Sequence, residues 1–351
     1  MQKTTKWVAC AVASSVLLTG CGMFGEQKKE QIDPPKNVTY TKEEQAKQSG
    51  EKKIEAAKRE LYLVDKNGFV VPQALALPDA KDNAVIKQSL EYLVKDGPVT
   101  NLLPNGFQAV LPANTTVNGV DIKDGTAIAD FSAEFKKYKK EEERRIVEAI
   151  TWTLTQFKDV QRVKIRIDGQ DLAMMPVDKT PIGEGLSRAD GINFDDRQVL
   201  DVMNTKPVTL YFVAQNNKQT YYVPVTRRIA NNKETATKEG EVMAVVNELV
   251  KGPSYKSQLS SDFNAGVKVL TPPKLEGGKV TLNFNQNIYG DTKKSMISNH
   301  VLQALVLSLT EQKGVEGVAI QVDGKGNIVK ENGEKLTAPV TRPQNVNTGS
   351  F

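Results

Sequence analysis

Residues 146–169, IVEAITWTLTQFKDVQRVKIRIDG, return 155 positions later as residues 301–324, VLQALVLSLTEQKGVEGVAIQVDG, with no gap between them. Leu154/Leu309, Thr155/Thr310, Val160/Val315, Val163/Val318, Ile165/Ile320, Asp168/Asp323 and Gly169/Gly324 are identical pairs, and most other apolar positions stay apolar. Three shorter matches follow the same chain order: LYLV at 61–64 with LYFV at 210–213, LVKDGP at 93–98 with LVKGP at 249–253, and GTAIADF at 125–131 with GKVTLNF at 278–284. Four matches in one order define a tandem duplication, so the fold of one copy must be built twice. The copies are placed at residues 59–182 and 207–345, with a connector at 183–206 and a C-terminal tail at 346–351. Each is long enough to bury its own core.

Hydrophobic periodicity gives the elements of one copy. Residues 60–64 and 69–75 alternate around Asp65-Lys66-Asn67-Gly68, a hairpin turn sequence. Ile86, Leu90, Leu93 and Val94 share one helical face, and Gly97-Pro98 stops that helix. A strand at 126–131 precedes a helix at 141–157 with the stripe Ile146, Ile150, Leu154 and Phe157. Val163, Ile165 and Ile167 then alternate into a turn at Asp168-Gly169. The second copy repeats the order, with strands near 208–213, 220–225, 280–284 and 317–322 and helices near 241–250 and 295–312. The fold class predicted is α+β: two tandem homologous domains, each a small, mostly antiparallel sheet with two helices packed on one face.

The start of the chain is of a different kind. MQKTTKWVACAVASSVLLTGC carries Lys3 and Lys6, an apolar stretch from Trp7 to Leu18, and a Leu18-Thr19-Gly20-Cys21 ending. It reads as a signal segment, to be set aside before the fold is considered. LTGC resembles a bacterial lipobox. That resemblance implies cleavage after Gly20 (signal peptide 1–20), an S-diacylglycerol group on Cys21 and an N-acyl chain such as palmitate on its freed amine. Two or more acyl chains at about 0.8 kcal/mol per buried CH₂ make a stable anchor, so membrane lipid is the first expected partner. Residues 22–58, with Pro34-Pro35 and eight Lys against seven acids, lack the apolar surface to order themselves. With Cys21 they make a flexible tether, 21–58, of about 30–40 Å r.m.s. span; a short helix near 52–58 is the alternative.

Composition excludes several classes of function. The 47 Lys+Arg against 42 Asp+Glu leave a net charge of +5, too small for a dedicated nucleic-acid binder. No later stretch approaches the roughly 20 apolar residues of a membrane span. One His and two Cys, both Cys within the first 21 residues, leave the folded part without a Cys/His nucleophile pair, a Cys/His zinc site or a disulfide framework. No catalytic residue, cofactor or metal is expected.

A helix ending in LVK(D)GP, a strand ending in Asp/Asn-Phe, and LT-x4-V-x2-V-x-[IV]-x-[IV]-DG together resemble the GerMN domain, the sporulation and spore germination domain. A lipobox, two such domains and a close on Arg342-Pro343-Gln344-Asn345-Val346-Asn347-Thr348-Gly349-Ser350-Phe351 are similar to spore-germination lipoproteins of endospore-forming bacteria. The first copy departs from the pattern by the extra Asp96. The resemblance covers residues 59–345. It implies a membrane-anchored, non-enzymatic assembly role in spore formation and germination, on the extracytoplasmic face between mother-cell and forespore membranes. The implied partners are other sporulation membrane proteins, such as components of the channel or basal platform joining the two cells. A small-molecule ligand is not expected.

The remaining candidates weigh toward structure. His300 opens a helix, and its counterpart is Arg145; it reads as a solvated helix residue, with pH sensing as the functional alternative. Asp168 and Asp323 invite a paired-carboxylate hydrolase, but Asp before Gly at a strand end is turn chemistry. Ser49-x-x-Lys52 falls in the tether. Asp121–Gly125 reads as a hairpin turn, and Gly324-Lys325-Gly326 lacks the rest of a phosphate loop. The run KKYKKEEERR, Lys136 to Arg145, is either a basic patch for anionic headgroups or wall polymer, or a helix entrance with a Glu141–Arg145 pair. Against the scaffold stand two alternatives: a cell-wall (peptidoglycan) hydrolase working through the carboxylates or a cortex-related factor, and a germinant- or solute-binding lipoprotein. A two-lobed solute binder fits poorly, because its chain crosses between lobes more than once.

Overall fold

The computed structural model describes residues 56–80, 84–195, 203–216 and 219–348. The first copy runs β1 (Ala56–Asp65), β2 (Val70–Pro78), α1 (Ala84–Glu91), β3 (Phe107–Gln108), β4 (Val117–Lys123), β5 (Thr126–Phe131), α2 (Glu143–Leu154), β6 (Arg162–Ile167) and β7 (Gln170–Asp171). The second runs β8 (Thr205–Asn216), β9 (Gln219–Ala230), α3 (Lys238–Val250), β10 (Lys274–Glu276), β11 (Lys279–Phe284), β12 (Tyr289–Asp291), β13 (Met296–Ile297), α4 (Asn299–Thr310), β14 (Gly317–Val322), β15 (Val329–Lys330) and β16 (Val340–Thr341). The duplication is therefore structural as well as sequential.

Each copy begins with a long antiparallel hairpin, β1–β2 or β8–β9. At the first turn Asp65 accepts from Gly68 N at 3.0 Å through its carbonyl, while its Oδ1 accepts from Asn67 N and Phe69 N. Gly68 sits at φ +85°, a conformation that costs a residue without Cβ little. Each copy then builds a four-stranded sheet, β4-β5-β6-β7 or β10-β11-β14-β16. Its central pair, β5–β6 or β11–β14, is parallel, and all other pairs in these two sheets are antiparallel. The parallel pair exists because α2, or α4, is the crossover between its two strands.

α2 and α4 are buried nearly all round rather than along one stripe. Residues 146–154 of α2 and all of 301–309 except the half-buried Gln303 are buried, because each helix touches its hairpin, β1 or β8, as well as β6 or β14. Fully burying Ile146, Ile150 or Leu154 contributes about 1.5–3 kcal/mol each relative to exposure. Polar residues on the hairpin side are used: Thr153 Oγ1 accepts from Tyr62 N at 3.1 Å, and Ser308 Oγ accepts from Tyr211 N at 2.8 Å.

The repeated Asp-Gly and Asp/Asn-Phe motifs meet at the ends of the parallel pair. Asp168 and Asp323 both have φ +49° and are followed by glycines at φ +77° and +76°, the left-handed pair that a two-residue turn uses. Asp130 Oδ1 accepts from Gly169 N at 3.0 Å, and Asn283 Oδ1 from Gly324 N at 2.8 Å. The four residues are one device made twice.

Three stretches behave differently from their sequence reading. β1 begins at Ala56, so residues 56–58, read as the end of the tether or of a short helix, are strand; the rest of the tether, the signal peptide and Cys21 lie outside the described residues. Residues 183–195 of the connector pack against the body, with Leu186 and Ile192 buried. Residues 346–351, read as a tail, begin with the buried pair Val346 and Asn347. Polar and Gly-rich composition suggested linkers, but the few apolar residues inside them find the core. Buried side chains of both copies form one continuous cluster, and the described residues belong to one compact unit.

Candidate functional site: the clasp between the repeats

The connector and the stretch that runs from the end of the second copy into the tail share a pattern that supplies the junction. Arg188-Ala-Asp-Gly-Ile192-Asn193 and Arg342-Pro-Gln-Asn-Val346-Asn347 both spell Arg-x3-[Ile/Val]-Asn, 154 positions apart. Each follows an extended segment on the edge of its sheet. Leu186 exchanges two backbone hydrogen bonds with Val163 of β6, at 2.8 and 2.9 Å, and Val340 of β16 pairs with Val318 of β14. From these edges the two straps run to the place where the hairpins meet.

The arginines converge on one carboxylate. Arg188 Nη1 donates to Glu311 Oε1 and Oε2 at 3.0 and 3.1 Å, and its guanidinium lies 4.4 Å over the Trp152 ring. Arg342 Nη2 lies 2.7 Å from both Tyr211 OH and Glu311 Oε1, and its guanidinium lies 5.2 Å over the Tyr211 ring. Tyr211 OH also donates to Glu311 Oε1 at 2.9 Å. The equivalent of Glu311 in the first copy is Gln156, which donates to the carbonyls of Glu60 and Thr153. The pseudo-symmetric site thus pairs one carboxylate, that of Glu311, with two arginines. Burial pushes the Glu311 carboxyl up, but Arg188, Arg342 and the Tyr211 hydroxyl outweigh it and hold the group below its ordinary value. Glu60, whose Oε2 accepts from Val346 N at 2.9 Å, is driven the other way. Its burial dominates over the Val346 N–H and the more distant arginines, and its carboxyl is raised.

The asparagines close the junction. Asn193 Oδ1 accepts from Val70 N at 2.8 Å, and its Nδ2 donates to Val70 O at 2.7 Å and Pro224 O at 2.8 Å. Asn347 Oδ1 accepts from Tyr222 N at 2.8 Å, and its Nδ2 donates to Pro72 O at 2.7 Å and Tyr222 O at 3.0 Å. In hairpin register Pro72 lies opposite Tyr62 and Pro224 opposite Tyr211, so Pro72 and Pro224 correspond, as do Val70 and Tyr222. The two sets of bonds are the same with the copies exchanged. The prolines lack the N–H that direct pairing of β2 with β9 would use, and the asparagine amides take over their carbonyls. Further ties are Ala74 N to Asn347 O at 3.0 Å, Ile192 N to Thr226 Oγ1 at 2.8 Å, and Tyr221 OH to Asp65 Oδ2 at 2.8 Å. The bonded groups named above satisfy one another, while the Tyr62 hydroxyl, counterpart of that of Tyr211, is buried without a hydrogen-bond partner among the described residues; what the site does physically is fix the orientation of one repeat against the other.

The residues singled out from sequence are placed as follows. Leu18, Thr19, Gly20, Cys21, Ser49 and Lys52 lie outside the described residues. Asp168 and Asp323 each sit in the turn of their own copy, and Asp323 Oδ2 accepts from Gln286 Nε2 at 2.8 Å. Asp124 and Gly125 form the β4–β5 turn. His300 lies in the first turn of α4, which Ser298 caps. Its Nδ1 is 2.8 Å from Asp262 Oδ2 and its Nε2 3.4 Å from Thr220 Oγ1, so it is half-buried and tied rather than freely solvated. In the charged run, among the described residues, Glu141 and Arg145 form no ion pair; Lys140–Asp178, Lys95–Glu142 and Arg144–Glu148 pair instead. Glu143 is fully buried, where its Oε1 accepts from Thr180 N and its Oε2 from Val177 N, Asp178 N and Tyr138 OH. Sequence reading missed Arg188, Asn193, Glu311 and the pairing role of Asn347. The recurrence of Arg-x3-[Ile/Val]-Asn within one residue of the offset of the main repeat was the signal that held them.

Two copies of one α+β unit, joined by this clasp, define the class. The sporulation and spore germination family, Germane, matches residues 60–173 and 209–327, and the chain belongs to it. It is 52% identical over 364 aligned positions to the spore germination protein GerM of Bacillus subtilis (strain 168), covering 98% of this chain and 97% of that protein. The solved structure of the tandem GerMN domains of the sporulation protein GerM from Bacillus subtilis is similar with a TM-score of 0.76 and 54% identity, over 83% of this chain and all of that one.

Proposed function

We propose that this chain is a lipid-anchored, non-enzymatic assembly factor of spore formation and germination. It stands on the extracytoplasmic face, between mother-cell and forespore membranes, and holds sporulation membrane proteins in a fixed relation. The observation that carries the reading is the clasp: two homologous units are set rigidly against each other by buried groups that are occupied with one another, which suits a part whose working property is its surface. Family membership and the 52% identity to a spore germination protein support the process, and the lipobox supports the anchor. Cys21, acylated at sulfur and amine, keeps the body within the reach of a tether of about 30–40 Å.

The test is Cys21→Ala in sporulating cells. The variant should leave the membrane fraction and block spore maturation, while crosslinking from exposed sites on each repeat in the parent chain should capture membrane proteins of the sporulating cell. Normal sporulation by the soluble variant would refute the anchored scaffold. Release of muropeptides by the purified chain, lost on replacing Asp168 or Asp323, would replace it with the hydrolase.

A further inference from the structure

The two straps make equivalent bonds, but they differ in how they are attached. The first is internal and leads on into the second repeat. The second follows the second repeat and, among the described residues, leads into no further one. Between Leu336, whose N–H bonds to Ile328 O at 2.8 Å, and β16, residues 337–339 are exposed and, among the described residues, make no hydrogen bond. The strap beyond is held by a closed set of contacts: the β14–β16 pairing, Arg342 on Glu311, Tyr211 and Leu307 O, Val346 N on Glu60, and Asn347 on Pro72, Ala74 and Tyr222. All of these lie in a groove that recognises an extended Arg-x3-[Ile/Val]-Asn segment.

We propose that this groove is an interaction surface for the C-terminal strap of a second copy of the chain, and that copies associate by exchanging straps across residues 337–339. The occupant is fixed by the chain itself, since the segment that fits the groove is the one seated in it. A segment that follows a short unbonded hinge can leave its own body and fill the same site on a neighbour with the same bonds. The intramolecular contact has the advantage of effective concentration, in the millimolar range for a short link, so exchange grows with local crowding of the chain. This goes beyond the scaffold reading and stands without the anchor.

The test uses full-length chains in which Cys10→Ser and Cys21→Ser leave no other thiol. Gly317 and Thr341 are partners across β14 and β16, and a Cβ on Gly317 would lie 3.6 Å from Thr341 Cγ2. An acceptor chain carries Gly317→Cys and one tag; a donor chain carries Thr341→Cys and another. Mixed under mild oxidation, they should give a donor–acceptor disulfide whose yield rises with concentration and exceeds tenfold that of a control acceptor carrying Lys123→Cys. Arg342→Ala with Asn347→Ala in the donor should abolish the product. The same pair in the acceptor vacates its groove and should raise the yield. A fluorescent peptide of residues 337–351 should likewise bind the Arg342→Ala/Asn347→Ala chain at least tenfold more tightly than the parent. Donor–acceptor product no greater than the control, or the same response to the substitutions in either chain, would overturn the proposal.

Discussion

Asn193 and Asn347 grip the junction of the two hairpins with the same three hydrogen bonds, each to one residue of one repeat by donor and acceptor and to a proline carbonyl of the other. A chain of two repeats thereby acquires an internal pseudo-dyad, and its stability should be sensitive to both residues. Asn347→Ala leaves buried backbone groups without partners and should cost about 1–3 kcal/mol. Asn193 has φ +46°, a conformation that asparagine tolerates better than alanine. Asn193→Ala should therefore cost about 1 kcal/mol more than its counterpart. Urea unfolding of the two variants measures the difference, and equal losses would show that the backbone at 193 relaxes.

Glu311 holds two arginines, and removing it leaves both without their paired carboxylate. Glu311→Ala should destabilise by about 3–5 kcal/mol. Arg188→Ala leaves the acid with Arg342 and should cost less. Thermal unfolding of the two variants side by side decides whether Glu311 is the centre of the cluster or one member among equals.

The two acids of the clasp should titrate in opposite senses. Glu311 is held below its ordinary value of 4.5, so its contribution is complete above that value and is lost as pH falls through the lower folded value. Glu60 is raised above 4.5, so its contribution is complete below 4.5 and is lost as pH rises through the higher folded value. Glu60→Gln keeps an acceptor for Val346 N and should become progressively more stable than the parent as pH rises above 4.5. Glu311→Gln should fall progressively behind the parent as pH rises from the acid side toward 4.5. Urea midpoints across that range give the two slopes, and slopes of the same sign would contradict the assignment.

Asp168 and Asp323 are turn residues at φ +49°. Asp168→Asn or Asp323→Asn should be nearly neutral, whereas alanine should cost about 1–2 kcal/mol at either site. Asp130→Ala and Asn283→Ala, which free the N–H groups of Gly169 and Gly324, should each cost about 1 kcal/mol. Guanidinium unfolding of the six variants compares the two copies directly.

How much of this was legible in the sequence follows from how far apart the cooperating residues lie. The duplication, the hairpin at Asp65–Gly68, the strand 126–131, the existence of two helices in each copy and the Asp-Gly turns are set by periodicity and local turn chemistry within a few residues, and the sequence alone determined them; the helix ends were not so determined, since α1 stops at Glu91, before Leu93 and Val94, and Met296–Ile297 is strand. The sequence also placed His300 at a helix start. It could not show that Asp262, 38 residues earlier, would meet it.

Only the tertiary structure decided what the polar straps do. Arg188 meets Glu311 across 123 residues, Val346 meets Glu60 across 286, and Asn347 meets Pro72 across 275. A segment such as Ser187–Asn193 carries too few apolar residues for any local pattern to mark it as buried, and its worth lies in a carbonyl, a hydroxyl and a carboxylate supplied by the other repeat. Local sequence determines which backbone each unit can form, because that preference is set within one or two turns of chain. The union of the units depends on buried hydrogen-bonding groups whose partners exist only once both copies have folded.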